Sequence, residues 1–405
     1  MINEFEKELK RRLATIREQG LYRELRRVDS PQSTRIVIAG CELLNFSSND
    51  YLGLASHPAL REAAARAAGN VGAGSGASRL ICGSLATHQE LEEVLAAFKG
   101  TEAALSFSSG YTTALGVIGA LLDRQDILII DKLVHACVVD AARLSGAKLR
   151  VFAHNDMNDL EAKLKWARDK IPIASGAARE PRVLIVTESV FSMDGDLAPL
   201  EQLLKLKEKH GAWLMLDEAH ATGLYGEKRR GLAEAVGVAD RVEVQMGTLG
   251  KAVGAAGGYV CGSRNLIDYL INRARSFIFS TAPVPAAAAA ARAGIELIQS
   301  DEGRLRVNRL WENVARVGKE LNAIGMKRPQ TRAAIVPIRI GDESRAVETA
   351  GRLREFGVFI PAIRFPTVAR GAARLRLTLT SAHTDRDLNQ LVEALATSLP
   401  GNTDS

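Results

Sequence analysis

The stretch from Val242 to Gly258 reads VEVQMGTLGKAVGAAGG. Val242, Val244 and Met246 alternate as a strand does, and the chain then turns glycine-rich. Lys251 stands in that turn, directly after Thr248-Leu249-Gly250. A lysine among small residues just past a buried strand is placed to form a Schiff base. Burial disfavours the ammonium and lowers its pKa, and the free amine is the nucleophile. Glycines let a bulky group approach the backbone. A surface lysine in an ordinary glycine-rich loop is the plainer alternative, and this stretch alone does not choose between the two.

A second stretch weighs in. Ala212–His220 reads AWLMLDEAH. Trp213 to Leu216 form a short apolar run that fits a buried strand. Asp217 falls at its carboxyl end, where open α/β sheets bind ligands. Pyridoxal phosphate (PLP) needs a lysine for its aldehyde and a carboxylate for its ring nitrogen. Lys251 and Asp217 are candidates for those two roles.

Thr248-Leu249-Gly250-Lys251-Ala252, with Gly254 and Gly257, resembles the cofactor-lysine signature of the α-oxoamine synthases. These are fold-type-I PLP-dependent enzymes that condense an amino acid with an acyl thioester and release carbon dioxide. The resemblance runs from about Asn45 to about His383, with a weaker match in the N-terminal arm. It implies an α/β transferase: a large domain on a mostly parallel sheet and a smaller α+β C-terminal domain. The expected division is a helical arm and hairpin over 1–45, the PLP-binding domain over 46–290 and the small domain over 291–405.

The resemblance also implies roles, position by position. Lys251, His135 and Asp217 are the expected catalytic residues, with His135 stacked on the cofactor ring. Gly110 and Tyr111 lie at the cofactor phosphate, where the N–H groups of a helix N-terminus favour an anion. Thr248 also binds the cofactor, Ser192 and His220 lie near its phenolic oxygen, and Ser280 and Thr281 reach across a dimer interface to the neighbouring phosphate. Arg23, His135, Thr367 and Arg376 contact substrate. Arg376 is expected to grip the amino acid carboxylate, for which a planar guanidinium is suited, with Arg374 as the neighbouring alternative on the other face. The family usually has a proline after Val368, where this chain has Ala369. The segment Asn45–Leu54, NFSSNDYLGL, matches the family's entry segment without its spacing revealing a role.

The rest of the chain alternates strands and helices. The sequence predicts a helix over Glu4–Arg27, a hairpin at Ala39-Gly40, and strands over Ala103–Ser109, Ile127–Ile130, Lys148–Ala153, Val183–Thr187 and Gly258–Gly262. Amphipathic helices between them argue for a mostly parallel sheet covered on both faces. From about Ala291 the texture changes, with strands over Ile335–Ile340 and Val358–Ile363. Arg374–Thr380 alternates as a half-buried strand does.

Composition and motifs exclude several classes. The chain has 405 residues, 46% hydrophobic and 25% charged, with a net charge of +6. That is ordinary globular composition and points to no nucleic acid partner. No apolar stretch reaches the ~20 residues of a membrane span, and Glu4, Glu6, Lys7 and Glu8 do not suit a secretory signal. Cys41, Cys82, Cys137 and Cys261 show no metal-ligand spacing and suit a reducing cytoplasm. Gly72–Gly76 resembles a dinucleotide fingerprint but follows a helical run rather than a strand. Asp217-Glu218-Ala219-His220 spells a helicase box. A nucleotide-driven motor needs a phosphate loop ending in Lys-Ser/Thr, yet Ala252 follows Lys251 and Gln245 occupies the first glycine position. The resemblance therefore leads to these expectations: PLP as cofactor, no metal, L-alanine and a pimeloyl thioester (on CoA or acyl carrier protein) as substrates, and a cytoplasmic homodimer. The alternative within the same family is glycine with a short acyl-CoA.

Overall fold

The computed structural model describes residues 3–170, 179, 181–325 and 333–399. Helix α1 (Glu4–Glu18) leads into a hairpin of β1 (Arg35–Ile38) and β2 (Cys41–Asn45). Then follow α2 (Pro58–Val71), α3 (Ala86–Lys99), β3 (Ala103–Phe107), α4 (Gly110–Leu121), β4 (Ile127–Asp131), α5 (Ala136–Ser145), β5 (Lys148–Phe152), α6 (Met157–Lys170) and β6 (Val183–Glu188). The chain continues through α7 (Leu200–Lys209), β7 (Trp213–Asp217), α8 (Leu232–Ala235), β8 (Val244–Thr248), β9 (Gly258–Gly262), α9 (Arg264–Arg273), α10 (Arg275–Ile278), α11 (Pro285–Gln299) and α12 (Asp301–Ala323). It closes with β10 (Ile335–Gly341), α13 (Glu343–Glu355), β11 (Val358–Phe359), β12 (Ala362–Ile363), β13 (Ala373–Thr378) and α14 (Asp385–Ser398).

Seven strands form the central sheet in the order β3-β9-β8-β7-β6-β4-β5. β4 to β8 run parallel, and β9 is antiparallel to both its neighbours. Side chains alternate across the strands into two cores. Ile127, Ile129, Ile185, Leu214 and Leu216 join one, with Leu91 and Leu95 of α3, Leu203 and Leu204 of α7, and Ile295 of α11. Leu128, Ile130, Leu184, Val186 and Met215 join the other, with Val117 and Ile118 of α4, Val138 of α5 and Leu270 of α9. Each fully buried aliphatic side chain contributes about 1.5–3 kcal/mol. The central strands β4, β6 and β7 are apolar until their carboxyl ends, where Asp131, Thr187-Glu188 and Asp217 stand.

Two smaller sheets complete the fold, β1-β2-β11 and β10-β13-β12. β2 pairs with β11 in parallel, so the N-terminal hairpin shares a sheet with the C-terminal part of the chain. The hairpin turns as expected at Ala39 (φ 52°) and Gly40 (φ 77°).

Three expectations need correction. The first helix ends at Glu18 rather than Arg27, because Gly20 takes φ 66° and stops it. The strand expected over Val358–Ile363 is two short strands in different sheets, divided at Ile360-Pro361. β13 is buried along its whole length rather than half-buried, since Arg374 and Arg376 bond to Asp194 and Ser192 of the turn after β6 that covers them.

Gly254 fixes the turn after β8. Its φ is +75°, and a Cβ there would lie 2.5 Å from the Leu54 Cβ. Gly254→Ala should lose at least about 1–2 kcal/mol from the left-handed backbone alone. A urea melt should show a lower midpoint at unchanged slope. A wild-type midpoint would mean that the turn yields without strain.

Candidate active site

The carboxyl edge of the sheet gathers the expected residues. β6 and β7 are in register at Glu188 and Asp217, and Asp217 faces Met246 of β8. The turn after β8 carries Lys251 and is closed by Leu249 N–H on the Gly257 carbonyl (3.0 Å) and the Thr248 hydroxyl on the same carbonyl (2.9 Å). Lys251 Nζ lies 2.7 Å from His220 Nε2. Burial pulls its pKa down from 10.5 to about 8, against the opposing pull of Asp217 and Glu188.

His220 is buried, and burial beside Lys251 holds its pKa well below the usual imidazole range, so the ring is neutral. Its Nδ1 lies 2.5 Å from the Tyr51 hydroxyl, whose pKa burial raises to about 12. The loop carrying His220 is anchored from below. Glu218, the second letter of the helicase-like box, takes a hydrogen bond from the buried Lys99 ammonium at 2.5 Å and another from Ala233 N–H. Its role here is an internal ion pair.

Asp217 is buried, and burial raises its pKa. One oxygen accepts from Ala219 N–H at 2.9 Å, and the other makes no hydrogen bond among the described residues. That free oxygen fits a protonated ring nitrogen. Glu188, not singled out from the sequence, is a second buried carboxylate. Burial and the neighbouring Asp217 push its pKa up to about 8, and it accepts from His135 N–H (2.6 Å) and Ser192 N–H (3.2 Å). His135 caps α5, accepting from Cys137 N–H, while its side chain stays exposed. Desolvation of the imidazole by the atoms packed around it lowers its pKa, Asp217 opposing that shift and Lys251 adding to it. Gly110 and Tyr111 open α4, whose N-cap is Ser109. A Cβ on Gly258 would lie 2.6 Å from Gly110 N, so the glycine there leaves room beside the first N–H groups of the helix. Thr248 borders the same corner. Lysine, free carboxylate oxygen, open imidazole and helix N-terminus fit the aldehyde, ring nitrogen, ring face and phosphate of PLP.

The two candidate arginines differ in partners. Arg374 is ion-paired with Asp194. Arg376 donates to the Ser192 carbonyl (2.7 Å), Asn49 Oδ1 (3.1 Å) and Thr378 Oγ1 (3.1 Å), all neutral. Both arginines reach the turn after β6. They are two residues apart and share a strand face, which corrects the expectation of opposite faces. Asn49 and Tyr51 give the entry segment its role, because Asn49 Oδ1 also accepts from the Tyr51 hydroxyl at 3.3 Å. Neither contact leaves a trace in sequence spacing.

The remaining expected residues lie apart from this cluster. Ser280 and Thr281 belong to a segment bonded to Ala77 and Ser78. Arg23 is exposed, in a stretch whose Gly20 and Tyr22 carbonyls are held by Arg364 at 2.6 and 3.1 Å. Thr367 is exposed in the turn after Arg364. Among the described residues no cluster of metal-ligating side chains occurs.

Residues 42–395 match the family model for aminotransferase class I and II. The chain is 48% identical over 384 residues to an 8-amino-7-oxononanoate synthase of Geobacter sulfurreducens, covering 95% of this chain and 96% of that one. A serine palmitoyltransferase from S. paucimobilis, solved with a bound PLP-myriocin aldimine, superposes with a TM-score of 0.89 at 27% identity over 98% of both chains. An 8-amino-7-oxononanoate synthase structure from Francisella tularensis gives a TM-score of 0.72 at 27% identity, covering 88% of this chain and 97% of that one.

Lys251 must lose its proton before it can attack an aldehyde. A pKa of about 8 places that loss well below the ordinary 10.5. Uptake of PLP by the apoenzyme, followed by visible absorption, should quicken as pH rises through about 8 and then level off. A rise centred on the ordinary lysine value would show that burial does not tune this amine.

Proposed function

The chain belongs to the aminotransferase class I and II family, and from that premise we propose that it acts as an 8-amino-7-oxononanoate synthase. It joins L-alanine to a pimeloyl thioester, carried on CoA or acyl carrier protein, and releases carbon dioxide and the free thiol. The product serves biotin synthesis. The observation that carries this reading is the Lys251 amine held against neutral His220 beside buried Asp217.

When bound, PLP supplies an aldehyde for a lysine and a cationic ring that withdraws electrons from the amino acid α-carbon. The roles of the chain's own residues follow from their surroundings. Asp217 uses its free oxygen to keep the ring nitrogen protonated. Lys251, with its lowered pKa, removes the α-proton and returns one after carbon dioxide leaves. Between those events the α-carbon attacks the thioester carbonyl, and the thiolate departs. His220 stays neutral and holds the Lys251 amine, while Tyr51 fixes the ring orientation of His220. His135 covers the cofactor ring with its open imidazole, and Ser192 and His220 flank the phenolic oxygen. The N–H groups of Gly110 and Tyr111, with Thr248, hold the phosphate. Arg376 meets the alanine carboxylate, since its hydrogen-bond partners among the described residues are all neutral. Arg23 and Thr367 sense the acyl partner.

The same reading has the protein act as a cytoplasmic homodimer, with Ser280 and Thr281 completing the phosphate site of the other subunit. The four free cysteines suit a reducing compartment. No helix among the described residues is long and apolar enough to cross a membrane.

Two measurements test this function. Lys251→Ala should abolish nearly all turnover, since a positioned acid–base alone contributes about 10²–10⁴-fold. Borohydride reduction should fix the cofactor on the Lys251 peptide of the wild type, and wild-type turnover in the Ala variant would refute the assignment.

Substrate choice is the sharper test. L-alanine and glycine differ by one methyl group, which a pocket separates by only ~1–3 kcal/mol, about ten- to two-hundredfold. Selection therefore falls mainly on the acyl partner. L-alanine with a pimeloyl thioester should give a far larger kcat/KM than glycine with acetyl- or succinyl-CoA. A faster reaction of glycine with acetyl-CoA would replace this reading with that of a glycine acyltransferase.

A further inference from the structure

The turn after β6 carries two carboxylates that the chemistry above does not use. It runs from Phe191 to Leu197 and is closed by the Val190–Leu197 bridge and by Phe191 N–H on the Asp196 carbonyl at 3.0 Å. Toward the central sheet, Asp196 Oδ2 lies 2.6 Å from His154 Nε2 and accepts from the Asn155 amide at 2.9 Å. The other nitrogen of His154 lies 2.9 Å from Asp131 Oδ1, at the buried end of β4. The Phe191 ring meets the imidazole edge-on, with centroids 4.4 Å apart. Burial works against a charged imidazole here, but the bonds to Asp131 and Asp196 outweigh it and raise the His154 pKa to about 10. His154 is therefore a cation through the whole neutral range.

Toward the C-terminal sheet, Asp194 is ion-paired with Arg374 of β13 and lies 3.5 Å from Arg339 of β10. Gly195 takes φ +68°, and a Cβ there would lie 2.4 Å from the Ile335 carbonyl oxygen, so the backbone of the turn rests on β10. The turn is thus pinned on both sides by charge, with its acidic residues facing opposite ways. Two residues before the first pin, Asp194, the Ser192 carbonyl accepts from Arg376 Nε at 2.7 Å, and Ser192 N–H donates to Glu188.

Stability is not the whole account of this arrangement. Ion pairs drawn partly out of water often contribute no more than apolar packing of the same volume. Asp196 Oδ1 is buried with no hydrogen-bond partner among the described residues, an omission that costs about 1–3 kcal/mol. The cluster also fixes one backbone carbonyl, and what that carbonyl holds is Arg376.

We propose that His154 and Asp194 are positioning residues for substrate carboxylate recognition, latching the Phe191–Leu197 turn between the two sheets so that the Ser192 carbonyl aims Arg376. This rests on the reading that Arg376 grips the amino acid carboxylate. The latch acts on the amino acid through the Ser192 carbonyl and leaves the thioester alone.

The test uses holoenzyme carrying His154→Gln, Asp194→Asn and Arg376→Lys, singly and with each of the first two combined with the third. The KM for L-alanine should rise about tenfold or more in the two latch variants, as a displaced guanidinium demands. Their kcat at saturating alanine and thioester KM should stay near wild type, the pattern of lost ground-state binding. Added to Arg376→Lys, either latch change should raise the alanine KM little further, because both act through that arginine. Asp194→Asn is near-isosteric and partly exposed, and it carries the test if His154→Gln fails to fold. Should Arg376→Lys itself leave the alanine KM unchanged, the carboxylate reading falls and the latch with it. If Arg376→Lys raises KM while both latch variants keep the wild-type value, or if the effects simply add, the latch alone is overturned.

Discussion

The structure depends on keeping one amine and two carboxylates together where water is scarce. Lys251, Asp217 and Glu188 are brought to the same edge by three adjacent parallel strands, and each pays for burial with a shifted pKa. Lysine moves toward its reactive free amine, and the carboxylates move toward holding protons. A cationic ring nitrogen at Asp217 would reverse that shift for Asp217, because an opposite charge favours the ionised form. The site is therefore set to receive a positively charged ring. The neutral His220, between Tyr51 and Lys251, adds no charge to this balance.

The same edge needs walls that the central sheet does not provide. The entry segment supplies Asn49 and Tyr51, and the C-terminal sheet supplies Arg376. The turn after β6 joins these parts, because its backbone meets Glu188 and Arg376 while its side chains meet His154 and Arg374. Shape and charge act together there: Gly195 allows the backbone to rest on β10, and the ion pairs fix its orientation. The exposed arm and the Ser280-Thr281 segment lie outside this cage.

The sequence by itself determined the fold class and the chemical pair at its centre. Apolar runs ending in Asp217 and leading to Lys251 are local signals, because a parallel strand buried on both faces must be apolar and its first polar residue marks the ligand edge. The α/β alternation was legible for the same reason, and so were Gly110 and Tyr111 at the start of a helix. What only the tertiary structure decided lies at larger sequence distances. Glu188 reads in sequence as the polar end of a strand and becomes a site residue only because β6 pairs with β7 at Asp217. Arg374 and Arg376 look alike in sequence, and only the position of Asp194, 180 residues before Arg374, gives one a counter-ion and leaves the other with neutral partners. Local periodicity reports which face a side chain takes, whereas the charge it meets there is set by strand order and by turns that arrive from elsewhere in the chain.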